Sequence, residues 1–176
     1  MARIIYGLNT SLDGYVDHDK FAPDPSLFQH FIEQSSRVAG SIYGRRMYEI
    51  MRYWDEPQDA WGPAEKAYAK AWCGTPKYVV SRTLTSVGPN ATLLKGDLET
   101  EIRVLKESLD GELEVAGPQL AAGLGALGLI DAYQLYVHPV VVGEGSRYFF
   151  APPPKLRLEA HERIGDTAVR LTYVPA

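Results

Sequence analysis

Two arginines stand side by side after a glycine in the segment Tyr43-Gly44-Arg45-Arg46-Met47-Tyr48. If a helix starts at that glycine, both guanidinium groups lie in its first turn, where the helix dipole disfavours cations. A bound anion would reverse the penalty, and Gly44 would let backbone N–H groups approach it. The alternative is a pair of solvated surface arginines. A second segment, Val79-Val80-Ser81-Arg82-Thr83, brings a hydroxyl and a guanidinium together out of an apolar run. That pairing suits a second phosphate, though an ordinary strand exit would read the same way. A third, Val115-Ala116-Gly117-Pro118-Gln119-Leu120, passes from an apolar run into a helix through one glycine. Pro118 presets the first turn and carries no N–H, so Gln119 and Leu120 hold the free donors, an arrangement that suits a pyrophosphate. A plain β–α turn is the other reading. The segment is neither the Rossmann glycine fingerprint nor a Walker loop.

Residues able to handle a proton are few. Asp13, Tyr48 and Glu49 are the side chains considered, beside an ordered water. Asp13 precedes Gly14, and Asp-Gly in a loop is also simple turn chemistry. Tyr48 lies one helical turn beyond Gly44 and would face a cleft there. Tyr53, Trp54 and Trp61 would line an aromatic pocket, or serve as core. The single cysteine, Cys73, excludes an intrachain disulfide and a multi-thiolate metal site. No metal site is expected. His18, His30, His138 and His161 read as surface or structural groups.

The elements that must position these groups follow from periodicity. Residues 3–8 read as a buried strand, and residues 9–22 as a loop. Asp24-Pro25 reads as an N-cap and first helical residue, before a helix with Phe28, Phe31 and Ile32 on one face. Strands are expected over 38–43, 77–81, 91–95, 112–116, 131–138 and 140–142. Helices are expected over 44–53 and 63–72, after Asp97 with the stripe Leu98, Ile102, Leu105 and Leu109, and from Pro118. Residues 156–164 and 167–174 alternate around Gly165-Asp166, as in a hairpin with a tight turn. Repeated strand–helix units with a terminal hairpin imply one domain over 1–176, a mostly parallel sheet covered on both faces, and an antiparallel edge. In such a sheet, ligands bind at the carboxyl ends of the strands, where the three segments fall. The composition is that of an ordinary globular protein, with 45% hydrophobic and 23% charged residues. A net charge of -4 gives no general attraction to nucleic acid. No apolar run reaches a membrane span, and the N-terminal apolar run is too short for a signal segment, so a cytoplasmic protein is expected.

Six segments occur in a telling order: Ser11-Leu12-Asp13-Gly14-Tyr15-Val16, Tyr43 to Glu49, Lys77 to Leu84, Val115 to Leu120, Gly128-Leu129-Ile130-Asp131, and Pro139 to Gly145. Together they resemble the dihydrofolate-reductase-like family. The branch is that of the C-terminal reductase domain of the bifunctional riboflavin-biosynthesis deaminase–reductase, here in stand-alone form. The resemblance implies a three-layer α/β/α fold with a mostly parallel central sheet and a C-terminal antiparallel hairpin. It implies an oxidoreductase that binds NADPH, and a homodimer; the strand over 132–138, with Tyr133 and Tyr136, is considered as an interface element. Carried over residue by residue, Gly44, Arg45 and Arg46 would take phosphates, and Ser81 and Arg82 would flank the 2′-phosphate. Ala116, Gly117, Pro118, Gln119 and Leu120 would seat the pyrophosphate. Asn9, Leu12 and Gly14 would belong to the loop beside the nicotinamide, with Asp13 and Tyr48 as the catalytic residues considered.

Two departures are informative. Ala116-Gly117 stands where dihydrofolate reductases usually carry two glycines joined by a cis peptide. Phe28 stands near the position of their pterin-binding acid, which argues against folate. The companion deaminase's His-x-Glu and Pro-Cys-x-x-Cys are absent. The implied activity is hydride transfer to a small heterocyclic or carbonyl substrate, with the phosphoribosylamino-pyrimidine of riboflavin synthesis as the named example. The alternatives are a non-catalytic NADPH-binding module and an interaction protein that has lost the cofactor site.

Overall fold

Asp24 caps the first helix as its position predicts. Its carboxylate accepts the N–H of Leu27 at 2.9 Å, and Pro25 is the first helical residue. Asp97 does the same for the fourth helix through the N–H of Thr100. The computed structural model describes all 176 residues. The chain runs β1 (Arg3–Thr10), α1 (Pro25–Arg37), β2 (Gly40–Gly44), α2 (Arg45–Met51), a 3-10 turn (Arg52–Asp55) and α3 (Pro63–Gly74). It continues through β3 (Lys77–Val80), β4 (Ala91–Leu94), α4 (Leu98–Ser108), β5 (Glu112–Ala116) and α5 (Pro118–Ala126) to β6 (Ala132–Val137), β7 (Leu156–Ile164) and β8 (Ala168–Pro175).

The eight strands form one sheet in the order β4-β3-β2-β5-β1-β6-β8-β7. Neighbours from β4 to β6 are parallel, and β8 runs antiparallel to both β6 and β7. Strand alternation sorts the two faces. Ile4, Tyr6, Ile42, Leu113 and Val115 pack against Ile102 and Leu105 of α4 and Ala121 and Leu124 of α5 in the main core. Each such aliphatic side chain contributes roughly 1.5–3 kcal/mol when fully buried. On the other face, Tyr43 accepts the indole N–H of Trp72 from α3 at 3.2 Å. Tyr136 packs there against Leu27 and Phe31 of α1. The result is the three-layer α/β/α fold with an antiparallel C-terminal hairpin.

Several boundaries differ from the expectation. β1 continues to Thr10, so Asn9 is a strand residue and not part of the loop. The helix expected over 44–53 ends at Met51 and tightens into the 3-10 turn. Residues 140–142 are not a strand: the carbonyl of Val140 accepts Leu12 N–H and the N–H of Val142 goes to Asp13, so the 11–14 loop uses their hydrogen-bonding groups. Phe28 stacks on Tyr68 of α3 at 5.5 Å, while Leu27 and Ile32 take the buried positions of α1. The hairpin loop has three residues, since Ile164 pairs with Ala168, and Gly165 supplies a φ of +65°. Tyr133 and Tyr136 are only 3% and 1% exposed on a strand flanked by β1 and β8, so neither forms a free interface. One glycine of α5 has a packing reason: a Cβ at Gly125 would lie 2.9 Å from the Tyr133 hydroxyl. No helix is long and apolar enough to cross a membrane.

Candidate functional site

The sheet order decides the site. β3, β2, β5 and β1 are adjacent, so the ends bearing Ser81-Arg82, Gly44-Arg45-Arg46, Ala116-Gly117 and Asn9 lie along one edge. β5 is inserted between β2 and β1, and its following helix α5 leaves over the face opposite to α1 and α3. Such a reversal opens a crevice at the carboxyl ends of the strands.

The turn at Gly117 is built for glycine. Its φ is +111° and its ψ 122°, a conformation that L side chains rarely adopt. A Cβ there would meet Met47 Cβ of α2 at 3.8 Å, so this turn lies against the first turns of α2. All peptide bonds are trans, the one between Ala116 and Gly117 included. Ala121 N–H is the first to return to the Gly117 carbonyl, which leaves the N–H groups of Gln119 and Leu120 outside the helix ladder. Leu120 also approaches β2: its Cβ lies 3.9 Å from the position a Gly44 Cβ would take.

The basic segments are linked to one another. Arg45 donates to Thr83 Oγ at 3.2 Å, bridging the end of β2 to the turn after β3. Its Nε lies 3.9 Å from Glu49 across exposed side chains, a contact worth little. Arg46 and Arg82 are exposed and form no ion pair within the protein. Arg82 helps to hold the Asp97 carboxyl below its ordinary range, after the larger effect of hydrogen bonds from Thr100. Ser81 is buried, and its hydroxyl accepts the N–H groups of Thr83 and Leu84 at 3.2 and 3.1 Å. It therefore shapes the turn that presents Arg82 and Thr83. Thr83 was not anticipated from sequence; its hydroxyl is visible there, but its partner Arg45 is not.

Of the three side chains considered for proton transfer, Glu49 is exposed beside Arg45, and neither Asp13 nor Tyr48 is free for that role. Asp13 accepts hydrogen bonds from Ser11 Oγ at 2.6 Å, Val142 N at 3.1 Å and Gly143 N at 2.7 Å. These bonds, led by the one from Ser11, lower its pKa to about 2. Asp13 is a carboxylate latch between two loops. Tyr48 is 2% exposed and accepts the N–H of Gly88 at 2.7 Å, turned towards the β3–β4 connection rather than the cleft. Leu12 is 63% exposed, Gly14 takes a φ of +86°, and both form the turn that Asp13 ties down. At the end of β1, Asn9 Oδ1 and His138 Nε2 are 2.8 Å apart. His138 follows β6, is 3% exposed and packs in a tilted arrangement against Phe21, ring centroids 4.8 Å apart. Sequence reasoning set all four histidines aside, since nothing local marks this one.

Beneath α1 lies a polar network. Tyr136 donates to Gln34 Oε1 at 2.9 Å and lies 3.1 Å from His30 Nε2, while Gln34 Nε2 donates to Glu114 at 3.2 Å. Burial, with Glu112 nearby, pushes the Glu114 pKa up to about 7. Three further basic side chains make contacts within the protein, two of them long and exposed. Lys20 lies near Asp19, Arg52 near Asp55, and Arg147 donates to the Tyr15 hydroxyl at 3.0 Å while covering its ring.

The model of the RibD C-terminal domain matches residues 2–169. The chain belongs to the RibD C-terminal domain family. That membership places it among reductase domains. The uncharacterized protein YyaP of Bacillus subtilis is 28% identical over 166 residues, which is 89% of this chain and 85% of that relative. A protein of Shewanella sp. PV-4, provisionally assigned to riboflavin biosynthesis, shares 24% identity and a TM-score of 0.72 over 99% of this chain and 98% of that one. The Thermotoga maritima diaminohydroxyphosphoribosylaminopyrimidine deaminase/5-amino-6-(5-phosphoribosylamino)uracil reductase shares 17% identity and a TM-score of 0.67. The match takes 99% of this chain but 57% of that one.

Proposed function

We propose that this protein is a stand-alone NADPH-dependent reductase that passes a hydride to a planar C=N or C=O group of a small substrate. One observation carries the reading: three weak anion-binding segments, far apart in sequence, occupy the ends of the adjacent strands β3, β2 and β5. A single dinucleotide explains all three. The residues fit it chemically. Arg46 and Arg82 are exposed cations that form no close ion pair, Arg45 and Thr83 join two segments, and the turn at Gly117, with its positive φ, leaves the N–H groups of Gln119 and Leu120 outside the helix ladder. Arg82, beside the turn that Ser81 shapes, takes the 2′-phosphate and selects NADPH over NADH. Gly44, Arg45 and Arg46 hold further phosphate oxygens, and Ala116 to Leu120 seat the pyrophosphate. Bound NADPH supplies the hydride. Asn9, Leu12 and Gly14 border the nicotinamide end, next to the latch formed by Asp13. With Asp13 ionised and Tyr48 engaged, the proton comes from water admitted to the cleft.

The substrate is a small heterocycle or carbonyl compound. Reduction of 5-amino-6-(5-phosphoribosylamino)uracil, named for the Thermotoga relative, is the specific example to assay. A second reading, an NADPH-binding module without catalysis, draws on the engagement of Asp13 and Tyr48. Fluorescence titration with NADPH and NADH tests the cofactor, on the wild type and Arg82→Ala. Tight NADPH and weak NADH binding, with the difference lost in Arg82→Ala, is expected; binding of neither nucleotide refutes the reading. NADPH oxidation over a panel of pyrimidines, pterins, quinones and aldehydes then separates reductase from module.

A further inference from the structure

Asn9 is the penultimate residue of β1, and β1 lies directly beside β5. The β1–β5 register pairs Tyr6 with Val115, so continuing it brings Asn9 level with the turn after Gly117. From β3 to β1 the edge spans three strand spacings, or about 14 Å at roughly 4.8 Å each, the reach of an extended dinucleotide. If Arg82 marks the adenosine end, the far end of the ligand comes to Asn9.

The side chain there is fixed by an unusual neighbour. The amide oxygen of Asn9 can only accept, so His138 donates to it through Nε2–H at 2.8 Å. That bond leaves the amide N–H groups of Asn9, which is partly exposed, without a partner in the protein. His138 is itself immobilised. Its backbone N–H donates to the Thr10 carbonyl at 2.8 Å, the residue is 3% exposed, and Phe21 packs against its ring. Burial lowers its pKa below the ordinary imidazole value, against a smaller opposing effect of Asp24. A buried histidine whose ring makes one hydrogen bond, to a partly exposed asparagine at a ligand-binding edge, orients that asparagine.

We propose that Asn9, held by His138, is the hydrogen-bond donor that orients the carboxamide of the nicotinamide ring, with His138 acting as a positioning residue. This inference rests on the cofactor reading above. The same bond sets which face of the ring meets the substrate, because the carboxamide is the ring's one polar handle.

The test compares NADPH with 2′,5′-ADP, which carries the adenosine and 2′-phosphate but no nicotinamide. Asn9→Ala and His138→Ala are expected to weaken NADPH about tenfold while leaving 2′,5′-ADP within about twofold, as the loss of one well-made hydrogen bond would do. The unchanged 2′,5′-ADP affinity also shows that each variant is folded. His138→Gln, which retains an N–H donor, is expected to recover most of the NADPH affinity. Unchanged NADPH binding in Asn9→Ala, or equal weakening of both ligands, overturns the proposal. A wild type that binds neither ligand refutes the cofactor reading itself, and the role of the pair with it.

Discussion

Replacing Glu114 with glutamine isolates what it takes to keep a carboxyl group under α1. Burial, aided by Glu112, raises the pKa from 4.5 to about 7 in the folded protein. The neutral acid is thus the form that the fold favours, while the unfolded chain ionises near the ordinary value. Stability of the native state therefore falls as pH rises from about 4.5 to about 7 and is level above that. Across this window the penalty reaches ~3 kcal/mol at most. The residue keeps some solvent contact, which reduces the expected effect to about 1–2 kcal/mol. A glutamine oxygen still accepts the Gln34 N–H, whose present length is 3.2 Å. Urea unfolding followed by circular dichroism at pH 4.5 and pH 8 measures the difference. Glu114→Gln is expected to gain about 1–2 kcal/mol over the wild type at pH 8 and only a few tenths at pH 4.5. An equal effect at both values would refute the reasoning, because a change in packing does not titrate.

Other outcomes follow from the same geometry. Gly117→Ala forces a side chain into a φ of +111°; it is expected to cost about 1–3 kcal/mol in thermal unfolding and to abolish NADPH binding. Arg82→Ala should weaken NADPH far more than NADH, and the wild-type preference should fade as salt rises, both read by fluorescence titration. Asp13→Asn removes a carboxylate that holds two backbone N–H groups; faster hydrogen exchange at Val142 and Gly143 is expected. Because the Asp13 pKa is lowered to about 2, its contribution to the wild type is present above the unfolded value and is lost only as pH falls towards 2. A wild-type activity profile with an inflection between pH 4 and pH 9 that vanishes in Asp13→Asn would contradict this.

What could be read from sequence was the part governed by local rules. Asp24-Pro25 and Asp97 announced helix starts because capping needs only neighbours in the chain. The stripe of α4 gave its buried face for the same reason, whereas β8 buries Ala168, Thr172 and Val174 rather than the apolar set Val169, Leu171 and Tyr173 that its alternation suggests. The errors lie where a distant partner decides. Residues 140–142 have a strand's composition, yet their backbone groups are engaged by Leu12 and Asp13, more than a hundred residues away in sequence. Tyr48 has a helical register that points to the Gly44 end, but Gly88 claims its hydroxyl. Ser81 sits where predicted, though beneath the turn rather than on it. His138 could not be recognised at all, since its meaning comes from Asn9 across the β1–β6 pairing.

The strand order turns these weak signals into one site. Gly44, Ser81 and Gly117 each admit an ordinary structural explanation, and in chain order they are separated by whole helices. Placing β5 between β2 and β1 brings the glycine turn to the middle of the edge, with the arginines on one side and Asn9 on the other. The same insertion sends α5 to the opposite face from α1, so the crevice opens where the unpaired N–H groups of Gln119 and Leu120 lie. Cations at one end, backbone donors in the middle and an oriented amide at the other end form a gradient of chemistry along four strands. On the cofactor reading proposed above, that gradient would suit a dinucleotide with a phosphorylated adenosine and an uncharged carboxamide. It also makes the two halves of the site separable: substitutions on β3 should alter the choice between NADPH and NADH, and substitutions at Asn9 and His138 should alter the hold on the ring alone.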